Sequence, residues 1–70
     1  MEFVICINNQ NYPASLEVRK IYKLIPDYSA NLHQMIRVID ESGEDYLYPK
    51  NYFMSVELSD AIIEASATIN

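Results

Sequence analysis

The chain contains few of the residues that support covalent or metal chemistry. Its 70 residues include one cysteine, Cys6, and one histidine, His33. A single cysteine excludes a disulfide within the chain, and a lone thiol fits a reducing compartment. The sequence has neither the Cys and His spacing of a zinc site nor a glycine-rich phosphate loop. We therefore expect a domain that an apolar core stabilises and that carries no cofactor.

Basic residues and long apolar runs are also scarce. Lys and Arg number 5 against 10 Asp and Glu, which gives a net charge of -5. Binding to nucleic acid requires a basic face, so this charge disfavours a nucleic-acid partner. The apolar run at residues 3–7 is far shorter than the ~20 residues of a membrane span, and no basic region precedes it as in a secretory signal. The sequence predicts a soluble, cytoplasmic protein with no membrane partner.

What the chain does contain is apolar and tyrosine-rich. Half of the residues are apolar, which favours a folded domain over disorder. Because β-branched and aromatic residues cluster in short segments bounded by Asn, Pro or Gly, we predict five strands. They lie at residues 3–7, 16–25, 35–39, 45–48 and 53–56, the last with Leu58, and a long loop at about residues 8–17 follows the first.

Two of the intervening segments have features of their own. Both faces of the first strand are apolar, which predicts that it is covered on both sides. Residues 27–34 are polar and predict a loop. Tyr28, Leu32 and Met35 stand at helical spacing there, so a short helical turn is the alternative.

Residues 40–43, Asp-Glu-Ser-Gly, predict a tight hairpin turn. A type I turn favours Asp first and Gly fourth, and Gly43 would adopt the left-handed conformation and form a bulge. This turn places Val38 opposite Tyr46 on the core face of the sheet. A two-residue Ser-Gly turn is the alternative, and it would place Val38 opposite Leu47.

Four carboxylates surround this hairpin and allow two interpretations. A calcium ion prefers several oxygen ligands, but the spacing of these residues does not match a calcium loop. Charged hairpin tips are ordinarily solvated, and we therefore predict no metal. The residues are Asp40, Glu41, Glu44 and Asp45.

Residues 47–53, Leu-Tyr-Pro-Lys-Asn-Tyr-Phe, resemble the end of Src-homology-3-like barrels. In that family an aromatic or aliphatic pair is followed by Pro, any residue, Asn, Tyr and an apolar residue. The segment at residues 16–22, with the later Tyr-Leu-Tyr-Pro, is similar to small bacterial proteins of this barrel type with uncharacterised function. The resemblance implies an all-β fold, a small five-stranded barrel at residues 1–58 with a short C-terminal helix or tail at residues 59–70.

The same resemblance implies a binding groove. In signalling members of the family, the proline and tyrosine of the motif contact proline-rich peptides, which places Pro49 and Tyr52 in the groove. Leu47 takes a groove position that is more often aromatic, and Tyr48 and Phe53 point into the core. The chain lacks the tryptophan on which the family's peptide groove depends.

Two further positions extend this prediction beyond the motif. Tyr12, in the long loop, is predicted to be an exposed aromatic residue that adds to the binding surface. Arg19 stands where the bacterial relatives lead us to expect glycine.

These observations predict a non-enzymatic protein–protein interaction module. Its partner would be a protein, recognised by the groove or by addition of a strand to an edge of the barrel. The alternative is a small structural accessory subunit, or a homo-oligomer that assembles through the barrel edge or the apolar tail. A thiol-dependent enzyme would need Cys6 and His33 in contact, but the apolar strand around Cys6 favours an inert, buried thiol.

Overall fold

The computed structural model describes residues 2–57, so Leu58 and the predicted tail at residues 59–70 lie outside the described residues. Five strands, one helix and one 3₁₀ turn follow one another within these described residues. They are β1 (Phe3–Cys6), β2 (Ile21–Ile25), α1 (Tyr28–Leu32), β3 (Met35–Ile39), β4 (Asp45–Pro49), the 3₁₀ turn Lys50–Tyr52, and β5 (Phe53–Val56). None of the described helices is long and apolar enough to cross a membrane.

The predicted all-β class is confirmed for residues 2–57, which contain five strands and one short helix. The five strands form one antiparallel sheet in the order β4-β3-β2-β1-β5. The first half of β2 pairs with β1, from Ile21 to Lys23, and its second half pairs with β3 through Leu24 and Ile25. One strand therefore connects the β1–β5 part of the sheet to the β3–β4 part.

The hairpin between β3 and β4 has the predicted turn and register. The Gly43 N–H donates to the carbonyl of Asp40 at 3.0 Å, and Gly43 has a φ of 85°. Val38 lies opposite Tyr46, and Arg37 lies opposite Leu47. This pairing rules out the alternative two-residue turn, because that turn would have brought Val38 opposite Leu47.

The core confirms the predicted burial of Cys6, Tyr48 and Phe53 but not that of Tyr46. Tyr46 is 56% exposed, because it lies on the end strand β4 next to the hairpin, with its ring packed on Tyr48. The buried cluster consists of Val4, Cys6, Leu16, Tyr22, Val38, Tyr48 and Phe53. Four half-buried residues pack against it: Tyr12, Leu24, Ile36 and Tyr52.

The second strand begins later than predicted, at Ile21 instead of Leu16. Arg19 has a φ of 76°, which is the left-handed region and cannot continue a strand. This is the position where the resemblance predicts glycine. The Arg19 N–H donates to the carbonyl of Cys6 at 2.7 Å, so the loop closes against the end of β1. Leu16 is nevertheless buried, and its side chain anchors the loop to the core.

The prediction of a loop before β3 is wrong for residues 28–32, which form the helical turn that was the alternative. Asp27 caps α1, since its Oδ1 accepts a hydrogen bond from the N–H of Ala30 at 3.0 Å. The other carboxylate oxygen of Asp27 accepts from Nε of Arg37 at 3.0 Å. The cap therefore also fixes α1 to β3.

Candidate protein-binding surface

Two of the predicted binding residues, Tyr12 and Tyr52, meet in the folded chain. Their ring centroids are 6.1 Å apart with an interplanar angle of 69°, an edge-to-face arrangement. Both residues are half-buried, so the prediction that Tyr12 is exposed is wrong, because its ring packs against the core. They come from distant parts of the sequence, so the contact is a product of the fold.

Backbone hydrogen bonds hold each tyrosine of this pair in place. The carbonyl of Tyr12 accepts from the N–H of Leu16 at 3.0 Å, and the buried Leu16 side chain anchors the loop. The carbonyl of Tyr52 accepts from the N–H of Ile7 at 2.8 Å. This bond joins the end of the 3₁₀ turn to the chain that leaves β1. The surface therefore rests on well-bonded loops.

A third tyrosine, Tyr48, packs against Tyr12 and belongs to the core. Its ring centroid is 4.9 Å from that of Tyr12 at an interplanar angle of 89°, and only 1% of the residue is exposed. Its hydroxyl donates to Oδ2 of Asp40 at 2.6 Å. The buried ring and its anchored hydroxyl give Tyr12 a rigid support.

The remaining predicted residues, Leu47 and Pro49, occupy the other face of β4. Because side chains alternate along a strand, Leu47 and Pro49 point away from the face that carries Tyr48. Both are half-buried. Pro49 precedes the 3₁₀ turn that ends at Tyr52, and with Gln34 and the first residues of that turn it lines a shallow pocket of about 490 Å³. Of the four predicted residues, the structure thus brings Tyr12 and Tyr52 into direct ring contact.

A second apolar surface lies beside α1. The sequence patterns do not predict a function for it. Tyr28 and Leu32, one turn apart on α1, are 79% and 61% exposed. A groove of about 310 Å³ runs between α1 and strands β2 and β3. Apolar residues Leu24, Ile25, Pro26, Met35 and Ile36 line it together with Asp27, Tyr28, Asn31 and Arg37. The helical spacing of Tyr28, Leu32 and Met35 was the signal in the sequence that pointed here.

Two carboxylates of the hairpin bind tyrosine hydroxyls. Burial raises the pKa of Tyr48, as does its bond to Asp40, and the value reaches about 12. Burial also acts to raise the pKa of Asp40, but the hydrogen bonds from Ser42 and Tyr48 outweigh it and leave that pKa below its ordinary value. The phenol therefore stays protonated and the carboxylate ionised at neutral pH.

Glu41 makes the corresponding contact at the start of β2. Its carboxylate accepts from the hydroxyl of Tyr22 and from Nζ of Lys20, the latter at 2.9 Å. The Lys20 bond, followed by the Tyr22 bond, lowers the pKa of Glu41. The Glu41 N–H also donates to the carbonyl of Ser15 at 3.0 Å. These contacts tie the hairpin to the long loop that carries Tyr12.

The two residues of the hypothetical thiol site are differently placed. Cys6 is fully buried, its Sγ donates to the carbonyl of Asn8, and burial raises the pKa of the thiol. His33 is exposed at the C-terminal end of α1. Within residues 2–57, no three His, Cys, Asp or Glu side chains are grouped as a metal site requires.

Comparison of the chain with protein-family models, with curated proteins and with solved structures gives no match.

Proposed function

We propose that this chain is a small Src-homology-3-like barrel that binds a protein partner and catalyses no reaction. The observation that carries the proposal is the contact between Tyr12 and Tyr52, two half-buried tyrosines brought together from the long loop and the 3₁₀ turn. Tyrosine is enriched at the energetic centres of protein interfaces, because it buries a large area with little loss of rotamer entropy.

The arrangement of strands supports the barrel. β2 pairs with β1 and β3 through different halves, as a strand does when it bends from one side of a small barrel to the other. The 3₁₀ turn joins β4 to β5, which lie at the two ends of the strand order. A connection between the two end strands is what a small barrel requires.

The partner would contact the tyrosine pair first and Pro49 second. Pro49 lies on the same face of β4 as Leu47, but it directly precedes the 3₁₀ turn that carries Tyr52, and it adds a rigid apolar surface without a backbone donor. Leu47 occupies the opposite face from Tyr48, and it would enlarge the contact only if the partner extends around the edge of β4. We therefore place Tyr12 and Tyr52 at the centre of the binding surface and Leu47 at its margin.

The groove beside α1 is the second candidate surface. The exposed side chains of Tyr28 and Leu32 and the apolar lining of the groove favour it. It lies on α1, β2 and β3, whereas the tyrosine pair lies on the long loop and the 3₁₀ turn. The two surfaces can thus be separated by mutation.

Affinity capture from the source cell tests the proposal with three baits: the wild type, Tyr52→Ala and Tyr28→Ala. We expect Tyr52→Ala to lose the captured protein, because it removes one ring of the pair. Tyr28→Ala makes the same change of side chain on α1, and we expect it to retain capture. The captured protein, once purified, should shift the amide resonances of Tyr12 and Tyr52 in NMR titrations of the wild type.

Each bait must be shown to be folded by the dispersion of its amide spectrum. If Tyr52→Ala unfolds, Tyr12→Ala replaces it, since that residue lies in a loop. If only Tyr28→Ala loses capture, the captured protein binds at the groove beside α1 and not at the tyrosine pair. Equal capture by all three baits would refute both surfaces.

A further inference from the structure

The sheet has a second apolar face, opposite the core. On β1, Val4 and Cys6 are buried in the core, so the alternate residues Phe3 and Ile5 point to the other side. Residues directly opposite one another on paired strands share a face. Two cross-strand rows result, namely Ile21–Ile5–Met54 and Lys23–Phe3–Val56. We call Phe3, Ile5, Ile21, Met54 and Val56 the outer apolar face.

The two flanking strands of this outer apolar face carry apolar side chains that are exposed to solvent. Met54 is 59% exposed and Ile21 is 40% exposed, although both lie in a row with the half-buried Ile5. A central strand with apolar residues on both faces is typical of a sheet that is covered on both sides. The helix of the described region, α1, packs against β3 at the other end of the sheet. The outer face therefore requires another cover.

We propose that the chain's own residues 58–70 pack on the outer apolar face. Apolar residues in this segment recur at positions 58, 62, 65 and 69, which is the spacing of one side of a helix. The segment contains two acidic residues, Asp60 and Glu64, and no basic residue. Lys23, an exposed cation, lies beside the outer apolar face, directly opposite Phe3. The apolar positions of the segment thus complement the outer apolar face, and its acidic residues complement Lys23.

The connection is long enough for this contact. β5 ends at Val56, which already lies on the outer apolar face. The row of Ile5 is two residues away along the strand, about 7 Å, and the sheet is three strands wide at about 4.8 Å per step. The two residues from Val56 to Leu58 span up to about 7 Å when extended, and the four residues from there to Ile62 add about 6 Å as a helix. Ile62 can therefore reach any of the five residues.

A second copy of the chain is the competing occupant, and the size of the face argues against it. Five partly exposed side chains amount to a few hundred Å². That is well below the ~800 Å² that each partner buries in a standard interface. The chain's own segment, in contrast, is held beside the face by a short connection, which gives it a high effective concentration.

Paramagnetic relaxation in the full-length chain tests the proposal. A spin label is attached to Ser66→Cys, while the buried Cys6 stays unlabelled, and mass spectrometry confirms a single label. We expect the amide signals of Ile5, Ile21 and Met54 to lose more than half of their intensity. The amide of Leu32, on α1, should keep its intensity. Adding Ile62→Asp should restore the three signals, because it places a charge on the apolar side of the segment.

Ile63→Asp is the matched control, since it makes the same change one position away, outside the spacing of 58, 62, 65 and 69. It should leave the broadening in place. In a mixture of spin-labelled chains with isotope-labelled, spin-free chains, the signals should stay intact. Broadening in that mixture would assign the face to a second copy, and unbroadened signals in the singly labelled chain would mean that residues 58–70 do not cover it. Either result overturns the proposal.

Discussion

Removing the hydroxyl of Tyr48 should destabilise the domain through one identifiable bond. Tyr48→Phe keeps the ring that packs on Tyr12, Tyr46 and Phe53. It deletes the O–H that donates to Oδ2 of Asp40 at 2.6 Å. Asp40 keeps its hydrogen bonds from Ser42, so the carboxylate does not lose every partner.

The expected cost follows from the nature of this bond. A hydrogen bond to a charged group stabilises a folded protein by about 1.5–3 kcal/mol. Because Asp40 keeps other partners and is partly solvated, we expect the lower end, about 1.5 kcal/mol. In a domain of this size, 1 kcal/mol changes Tm by roughly 4–8 °C, which predicts a decrease of about 6–12 °C.

The assay is thermal unfolding at pH 7, with Tyr46→Phe as the matched control. Tyr46 is on the same strand but is 56% exposed. Loss of its hydroxyl should cost less than about 0.5 kcal/mol. If Tyr48→Phe unfolds at the same temperature as Tyr46→Phe, the bond to Asp40 contributes nothing and the reasoning is wrong.

The pH dependence gives an independent check on the same bond. The folded-state pKa of Asp40 lies below its ordinary value of 3.8, and the Tyr48 hydroxyl is one cause. A carboxyl group with a lowered pKa stabilises the protein above that ordinary value, and the contribution is lost as the pH falls through the folded-state pKa. The stability difference between wild type and Tyr48→Phe should therefore be full at pH 7 and decrease below about pH 3.8. A constant difference would contradict the assignment.

Substitutions at two other positions test the hairpin by urea or thermal unfolding. Glu41→Gln should lower Tm by about 2–4 °C at pH 7, since its partners are partly exposed. This difference should decrease as the pH falls below the ordinary Glu41 pKa of 4.5 and vanish below the lowered folded-state pKa, where wild-type Glu41 is also neutral, and a difference that stays constant with pH would contradict it. Gly43→Ala should cost roughly 1–2 kcal/mol through its positive φ alone, with nothing within 4 Å of the new Cβ. Gly43→Asn should cost less because Asn tolerates this conformation, and equal losses would implicate packing instead.

The strands and the hairpin were predictable because they depend on local chemistry. Asp at the first position and Gly at the fourth favour the turn at residues 40–43, and this turn determines the register of β3 and β4. Pro26 and Pro49 mark the ends of β2 and β4 because proline cannot extend a sheet ladder. Such signals act over a few residues, so they can be recognised without the fold.

The predicted start of β2 and the predicted burial of Tyr46 are wrong because tertiary contacts override the local sequence pattern at both places. Leu16 alternates with Glu17 as in a strand, yet the backbone turns at Arg19 to bond the end of β1. Tyr46 was assigned to the core from its register with Val38, but the pairing of strands does not reveal how far the core extends. Burial near the end of a sheet depends on which residues the loops cover. The periodicity of a strand carries no information about the position of the loops.

The candidate surface was predictable only in part for the same reason. The motif around Pro49 indicates Tyr52, and the position of Tyr12 in the long loop indicates that residue, but no sequence pattern indicates that the two rings meet. Their contact depends on the closure of the long loop onto Tyr48. Only tertiary structure contains that information.

Asp40 connects the turn of the hairpin to the candidate surface. Its carboxylate accepts the N–H of Ser42 within the turn and, through its other oxygen, the hydroxyl of Tyr48. Tyr48 supports Tyr12, which in turn contacts Tyr52. Turn preference alone would accept Asn at this position. An amide offers the phenol only a neutral acceptor, so Asp40→Asn should preserve the hairpin register while loosening the position of Tyr12. The type I turn therefore explains the shape of the hairpin, but the charge at its first residue is explained by the tyrosine that it anchors.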